Sequence, residues 1–131
     1  MAPGHEGLRS ALGRARGTGP AKEGVAHWWA QKLTSIALVP LTVWFVASVV
    51  LLIGSDYDRF TAWLSAPLPA ILMILLIVAT FHHAQLGLQV IIEDYVHNGA
   101  LRLTGIVVVK FAAILLGLGS VFAVLRIALG G

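Results

Sequence analysis

The stretch that decides the fold runs from Pro67 to Ile92, PLPAILMILLIVATFHHAQLGLQVII, and contains no Asp, Glu, Lys or Arg. A helix rising about 1.5 Å per residue needs roughly 20 apolar residues to cross the ~30 Å hydrocarbon layer of a bilayer. The stretch is long enough, and it has company. Residues 33–55 carry no formal charge, the uncharged run around the quoted stretch extends over 60–92, and residues 103–125 carry only Lys110. The run from Phe60 is read as one span rather than two helices, because Pro67 and Pro69 suit the start of a helix better than its interior. Spans at about 31–54, 68–92 and 103–127 then account for the chain. Composition agrees: 58% of residues are hydrophobic and 11% charged, with a mean hydropathy of +0.88, against about 25% charged in a soluble domain. The expected fold is an all-α membrane protein with three transmembrane helices.

Outside the spans the chain is polar. Residues 1–26 are rich in Gly and Pro and carry Arg9, Arg14, Arg16 and Lys22. They lack the apolar core of a secretory signal, and Glu6 and Glu23 argue against an Arg-rich transit helix. They are read either as an extended polar arm on the cytoplasmic face or as a disordered tail, ahead of a three-helix anchor over 27–131. Lys and Arg set the orientation. The four named cations and Lys32 precede or begin span one, while the 55–67 connection has only Arg59 against Asp56 and Asp58. Arg102 marks the second connection, where His97-Asn98-Gly99 supplies the turn. The N-terminus is therefore expected on the cytoplasmic side and the C-terminus on the periplasmic side. Trp28 and Trp29 suit the inner interface and Trp63 the outer one. Trp44 is expected to face lipid or a partner helix, and Pro40 to bend span one. With no cysteine, the chain by itself holds no disulfide, thiolate zinc site or iron–sulfur cluster. No basic patch with interleaved aromatics points to nucleic acid, and no phosphate loop, GxSxG, HExxH or dinucleotide fingerprint is present.

The chemistry concentrates in span two. His83 stands about nine residues above its inner end, and an ionisable group at that depth is costly unless it has a use. A neutral imidazole is a good axial ligand to haem iron; the structural alternative is a hydrogen bond across helices. No other histidine shares its face, so a bis-histidine haem needs its second ligand from another chain. His82 is rotated by about 100° and cannot serve the same iron face. Gly87, one turn on, lets a flat macrocycle or a second helix come close. Asp94 and Tyr95 end the span. Asp94 lies eleven residues from His83, within about 20° of the same face and roughly 16 Å along the axis. A phenol can donate to a quinone carbonyl and a carboxylate can handle its protons; an aromatic belt with a solvated aspartate is the plainer reading. Asp56-Tyr57 repeats the dipeptide without a histidine upstream. Lys32, Arg102 and Lys110 are cations that snorkel or meet propionates.

The pattern His83-x3-Gly87-x6-Asp94-Tyr95 resembles the signature of the small hydrophobic membrane-anchor subunit of succinate dehydrogenase. The stretches Ala11-Leu12-Gly13-Arg14, Glu23-Gly24-Val25-Ala26-His27-Trp28-Trp29 and Gln31-Lys32-Leu33-Thr34-Ser35-Ile36-Ala37 look like the start of bacterial members. The resemblance implies an inner-membrane complex that passes electrons from succinate to ubiquinone. In it a flavoprotein and an iron–sulfur subunit are held by two membrane anchors, of which this chain resembles one. It implies that His83 ligates a b-type haem whose other ligand comes from the second membrane anchor, that Tyr95 hydrogen-bonds ubiquinone, and that Asp94 belongs to the same site. Lys32 stands where relatives often carry arginine, and Lys does not reproduce the bidentate geometry of Arg. His27 and Trp28 are candidates to approach the iron–sulfur subunit. The competing readings are a self-contained cytochrome, which spans one and three do not furnish with histidines, and a small structural or transport subunit without haem. Transport is disfavoured by the lack of repeats and broken helices.

Overall fold

The computed structural model of the chain describes residues 19–130. These form four helices: α1 Gly19–Leu51, α2 Tyr57–Ser65, α3 Pro67–Tyr95 and α4 Gly99–Ala128. Three are long and apolar enough to cross a membrane, over Gly24–Leu51, Pro67–Tyr95 and Gly99–Ala128. The all-helical fold with three candidate spans is the one expected. Residues 1–18 of the expected polar arm lie outside the described residues, and 19–26 belong to α1. The chain divides into compact units at Met1–Ala30 and Gln31–Gly131. In the first, Trp28 and Trp29 meet edge to face at 5.1 Å.

The single-helix reading of the run from Phe60 is corrected. The run is split between α2 and α3, and only α3 is a span. The reason is local. Asp56 caps α2, its side chain accepting from the Arg59 N–H at 2.8 Å. Asp58 in the first turn complements the helix dipole. Ala66 is extended, φ −67° and ψ 143°, the conformation imposed on a residue before proline. Pro67 therefore ends one helix and, at the first position of α3, starts the next. α3 gives way at Val96, and Asn98 caps α4 by accepting from the Ala100 and Leu101 N–H groups at 3.0 and 3.2 Å. Between α1 and α2 the chain turns at Gly54, whose φ of +80° suits glycine.

Leu64 of α2, Ala70 of α3 and Val124 of α4 form the buried cluster, with Trp63, Met73, Ile74, Ile77, Ile127 and Ala128 packed around it. α2 is thus a plug at one end of the second unit. Ser65 Oγ ties it to α4 by donating to the Ile127 carbonyl at 3.1 Å. Trp63 stacks on Trp44 of α1, centroids 5.9 Å apart and planes 20° apart, so the mid-span tryptophan is engaged within the chain. α3 and α4 run antiparallel and meet at glycines. A Cβ on Gly105 would lie 3.4 Å from Ile92, and one on Gly117 would lie 3.7 Å from Phe81. Small residues at such crossings let membrane helices approach where no hydrophobic force drives them together. Pro40 lies within α1.

Candidate functional site

α1 meets α3 through polar side chains. His83 is half-buried on α3, and its Nδ1 lies 3.0 Å from Thr34 Oγ1 on α1. The Thr34 hydroxyl also donates to the Gln31 carbonyl at 3.1 Å, and Ser35 Oγ donates to that same carbonyl at 2.8 Å. Three residues apart on a helix, Gln31 and Thr34 face the same way. His83 and Gly87, four apart, do likewise on α3. The Gln31 side chain reaches Gly87: a Cβ there would sit 3.9 Å from Gln31 Nε2, an ordinary contact. Gln31 Oε1 is enclosed and has no hydrogen-bond partner among the described residues. His83 Nε2 likewise makes no hydrogen bond among them, but it is not enclosed. The imidazole is therefore held at one nitrogen and open at the other, which is how a protein presents a metal-ligating histidine.

Asp94 and Tyr95 are the last two residues of α3. Both are exposed, Tyr95 to 77%. Neither makes a side-chain hydrogen bond among the described residues. Asp94 lies within about 20° of the face of His83 and Tyr95 about 120° round from it, and the pair stands about 16–18 Å away along the axis. The chain alone does not join them into one pocket with the histidine. It presents a histidine at mid-helix and an acid–phenol pair at the end.

His82 is exposed on a different side. With Gln85 it lines a groove of about 440 Å³ between α3 and α4, opposite Lys110 and Gly117. Below it, Gln85 Nε2 donates to Gln89 Oε1 and Gln89 Nε2 to Glu93 Oε1, each at 3.0 Å, a ladder along α3. A cavity of about 540 Å³ lies at the α2 end, lined by Tyr57, Asp58, Thr61 and Arg126 among others. It is far from His83 and holds none of the candidate site residues. In the first unit, His27 Nε2 is enclosed and unpartnered among the described residues. No group of three or more His, Cys, Asp or Glu among the described residues is placed to hold a bare metal ion. What His83 can offer is a single ring nitrogen, Nε2, that no other described residue occupies. Sequence reasoning assigned no role to Thr34 or Gln31. The available signal was their three-residue spacing at the start of an apolar span, which shows two polar groups on one face but not what they face.

Against known proteins, residues 7–124 match the succinate dehydrogenase/fumarate reductase transmembrane subunit family. A succinate dehydrogenase hydrophobic membrane anchor subunit of Rickettsia bellii is 34% identical over 117 residues, covering 89% of this chain and 94% of the relative. The corresponding subunit of Paracoccus denitrificans is 31% identical over 116 residues, 88% and 89% of the two chains. A succinate dehydrogenase membrane anchor subunit of Reclinomonas americana is 30% identical, covering 71% and 80%. No solved structure matches the chain. Three apolar helices, a mid-helix histidine and near full-length similarity to these anchors lead to one conclusion: the chain belongs to the succinate dehydrogenase/fumarate reductase transmembrane subunit family.

Proposed function

We propose that the chain is an anchor of succinate:ubiquinone oxidoreductase in the bacterial inner membrane, with its N-terminus cytoplasmic and its C-terminus periplasmic. In this role it carries no succinate chemistry. It holds the iron–sulfur and flavoprotein subunits at the membrane together with a second membrane anchor. His83 is one axial ligand of a b-type haem shared with that second anchor, and Tyr95 and Asp94 form part of the ubiquinone site.

The observation that carries this reading is the state of His83: mid-helix, fixed through Nδ1 to Thr34, with Nε2 making no hydrogen bond among the described residues. A histidine serving only to bond two helices has no need of an open second nitrogen. Gly87 one turn away adds no side chain beside the ring, which suits a flat ligand. The residues present therefore fit the haem. When bound, the haem supplies a site that stores and returns one electron.

At the helix end, Tyr95 donates its phenolic hydrogen to a quinone carbonyl, polarising it toward reduction. Asp94 beside it takes up protons from the aqueous side and presents them near the reduced oxygens. Exposure of both residues at the end of α3 suits groups that must exchange protons with water. The remainder of the quinone pocket comes from partner chains.

The test is a dithionite-reduced minus oxidised spectrum of the purified complex, wild type against His83→Ala. A b-type signal that disappears in the variant supports the ligand role. An unchanged signal rejects it. A complex that assembles and works without any haem leaves the anchor role standing and removes the haem.

A further inference from the structure

The bond between α1 and α3 also decides which nitrogen of His83 carries the proton. We infer that Thr34 is the positioning residue that locks His83 as its Nδ1–H tautomer and so keeps Nε2 as a bare lone pair. This rests on the ligand reading above.

Two arrangements fit a 3.0 Å contact between Thr34 Oγ1 and His83 Nδ1. In the first, Nδ1–H donates to the threonine oxygen, and the hydroxyl hydrogen goes to the Gln31 carbonyl 3.1 Å away. Every donor has an acceptor, and Nε2 is left with a lone pair. In the second, the hydroxyl donates to Nδ1, and the ring hydrogen moves to Nε2. No acceptor for an Nε2–H exists among the described residues. An N–H without an acceptor is costly in hydrocarbon, where no water replaces the lost bond. A bare ring lone pair costs less there and is the form that binds iron. The Gln31 carbonyl, which also receives Ser35 Oγ at 2.8 Å, acts as the backstop that turns the Thr34 hydrogen away from the ring.

Thr34 and His83 are 49 residues apart and on different helices. The docking of α1 on α3 thus prepares the ligand before any iron arrives. Partners that fix the tautomer of a ligating histidine typically contribute about 10–100-fold in metal affinity.

The test has two readouts. The first is the ¹⁵N spectrum of ¹⁵N-histidine-labelled full chain in detergent without haem, with His83 assigned by His83→Gln. An Nδ1–H pattern is expected, and an Nε2–H pattern overturns the inference while leaving the ligand role to the reduced-minus-oxidised spectrum. The second is haem binding by the whole complex carrying Thr34→Val or Thr34→Ser. Thr34→Val, which keeps the shape and removes the hydroxyl, is expected to weaken haem retention about 10–100-fold and to mix the tautomers. Thr34→Ser is expected to restore both. Retention unchanged in Thr34→Val overturns the inference; loss in His83→Ala alongside that result shows the ligand assignment still stands. Should Thr34→Val fail to assemble, the wild-type ¹⁵N pattern decides.

Discussion

Single residues carry the proposed site. Tyr95→Phe removes one hydroxyl from an exposed phenol whose ring packs little within the chain. Losing a hydrogen bond to a reacting group is worth roughly 1–3 kcal/mol. Quinone reduction by the complex is expected to fall about ten- to hundredfold, while succinate oxidation by an artificial acceptor stays as it was. Parallel loss of both activities would mean that Tyr95 supports assembly instead. Gly87→Ala is expected to fold normally, because the new methyl meets only the Gln31 side chain at 3.9 Å; a thermal-unfolding midpoint in detergent shifted by several degrees would contradict this. At this scale the histidine and the acid–phenol pair were legible, because ionisable residues stand out in an apolar run. Thr34 was not. A threonine near the start of a span is unremarkable until the helix 49 positions later is brought against it.

Between elements, the decisive contacts are made by absent side chains. Gly105 and Gly117 let α4 lie close to α3, against Ile92 and Phe81. Gly117→Leu and Gly105→Leu are expected to push the pair apart and cost about 1–3 kcal/mol each by overpacking. Gly119→Leu is the control, since nothing lies within 4 Å of that position. Unfolding followed by helix signal in a denaturing-detergent titration ranks the three, and equal loss at Gly119 would remove glycine packing as the cause. Asp56→Ala strips the cap of α2 and is expected to cost about 1 kcal/mol, read as faster proteolysis around residues 55–66. The three long helices could be placed from the charge gaps and Pro67. α2 escaped because its apolar residues Phe60, Trp63 and Leu64 join the next span without a charged break. The cue was the Asp56–Asp58 start, two acids ahead of an aromatic face, together with the extended residue that Pro67 demands.

For the whole molecule, orientation is the property that gives the site a side. Because the chain has no cysteine, single cysteines report topology without background. In intact spheroplasts, His97→Cys is expected to resist a membrane-impermeant maleimide and Tyr57→Cys to react with it. The reverse pattern would invert the proposed topology and put Tyr95 on the wrong face for cytoplasmic protons. The folded chain also leaves most of its large apolar residues outward, because lipid and neighbouring spans, not water, are its surroundings. The ladder Gln85–Gln89–Glu93 runs through this setting with a fixed sense. A carboxylate only accepts, so an ionised Glu93 obliges Gln89 to offer its amino end, and Gln89 in turn obliges Gln85 to do the same. The three side chains behave like a row of compass needles read from one end. A charge at the rim of the membrane dictates which way an amide points about 12 Å further in.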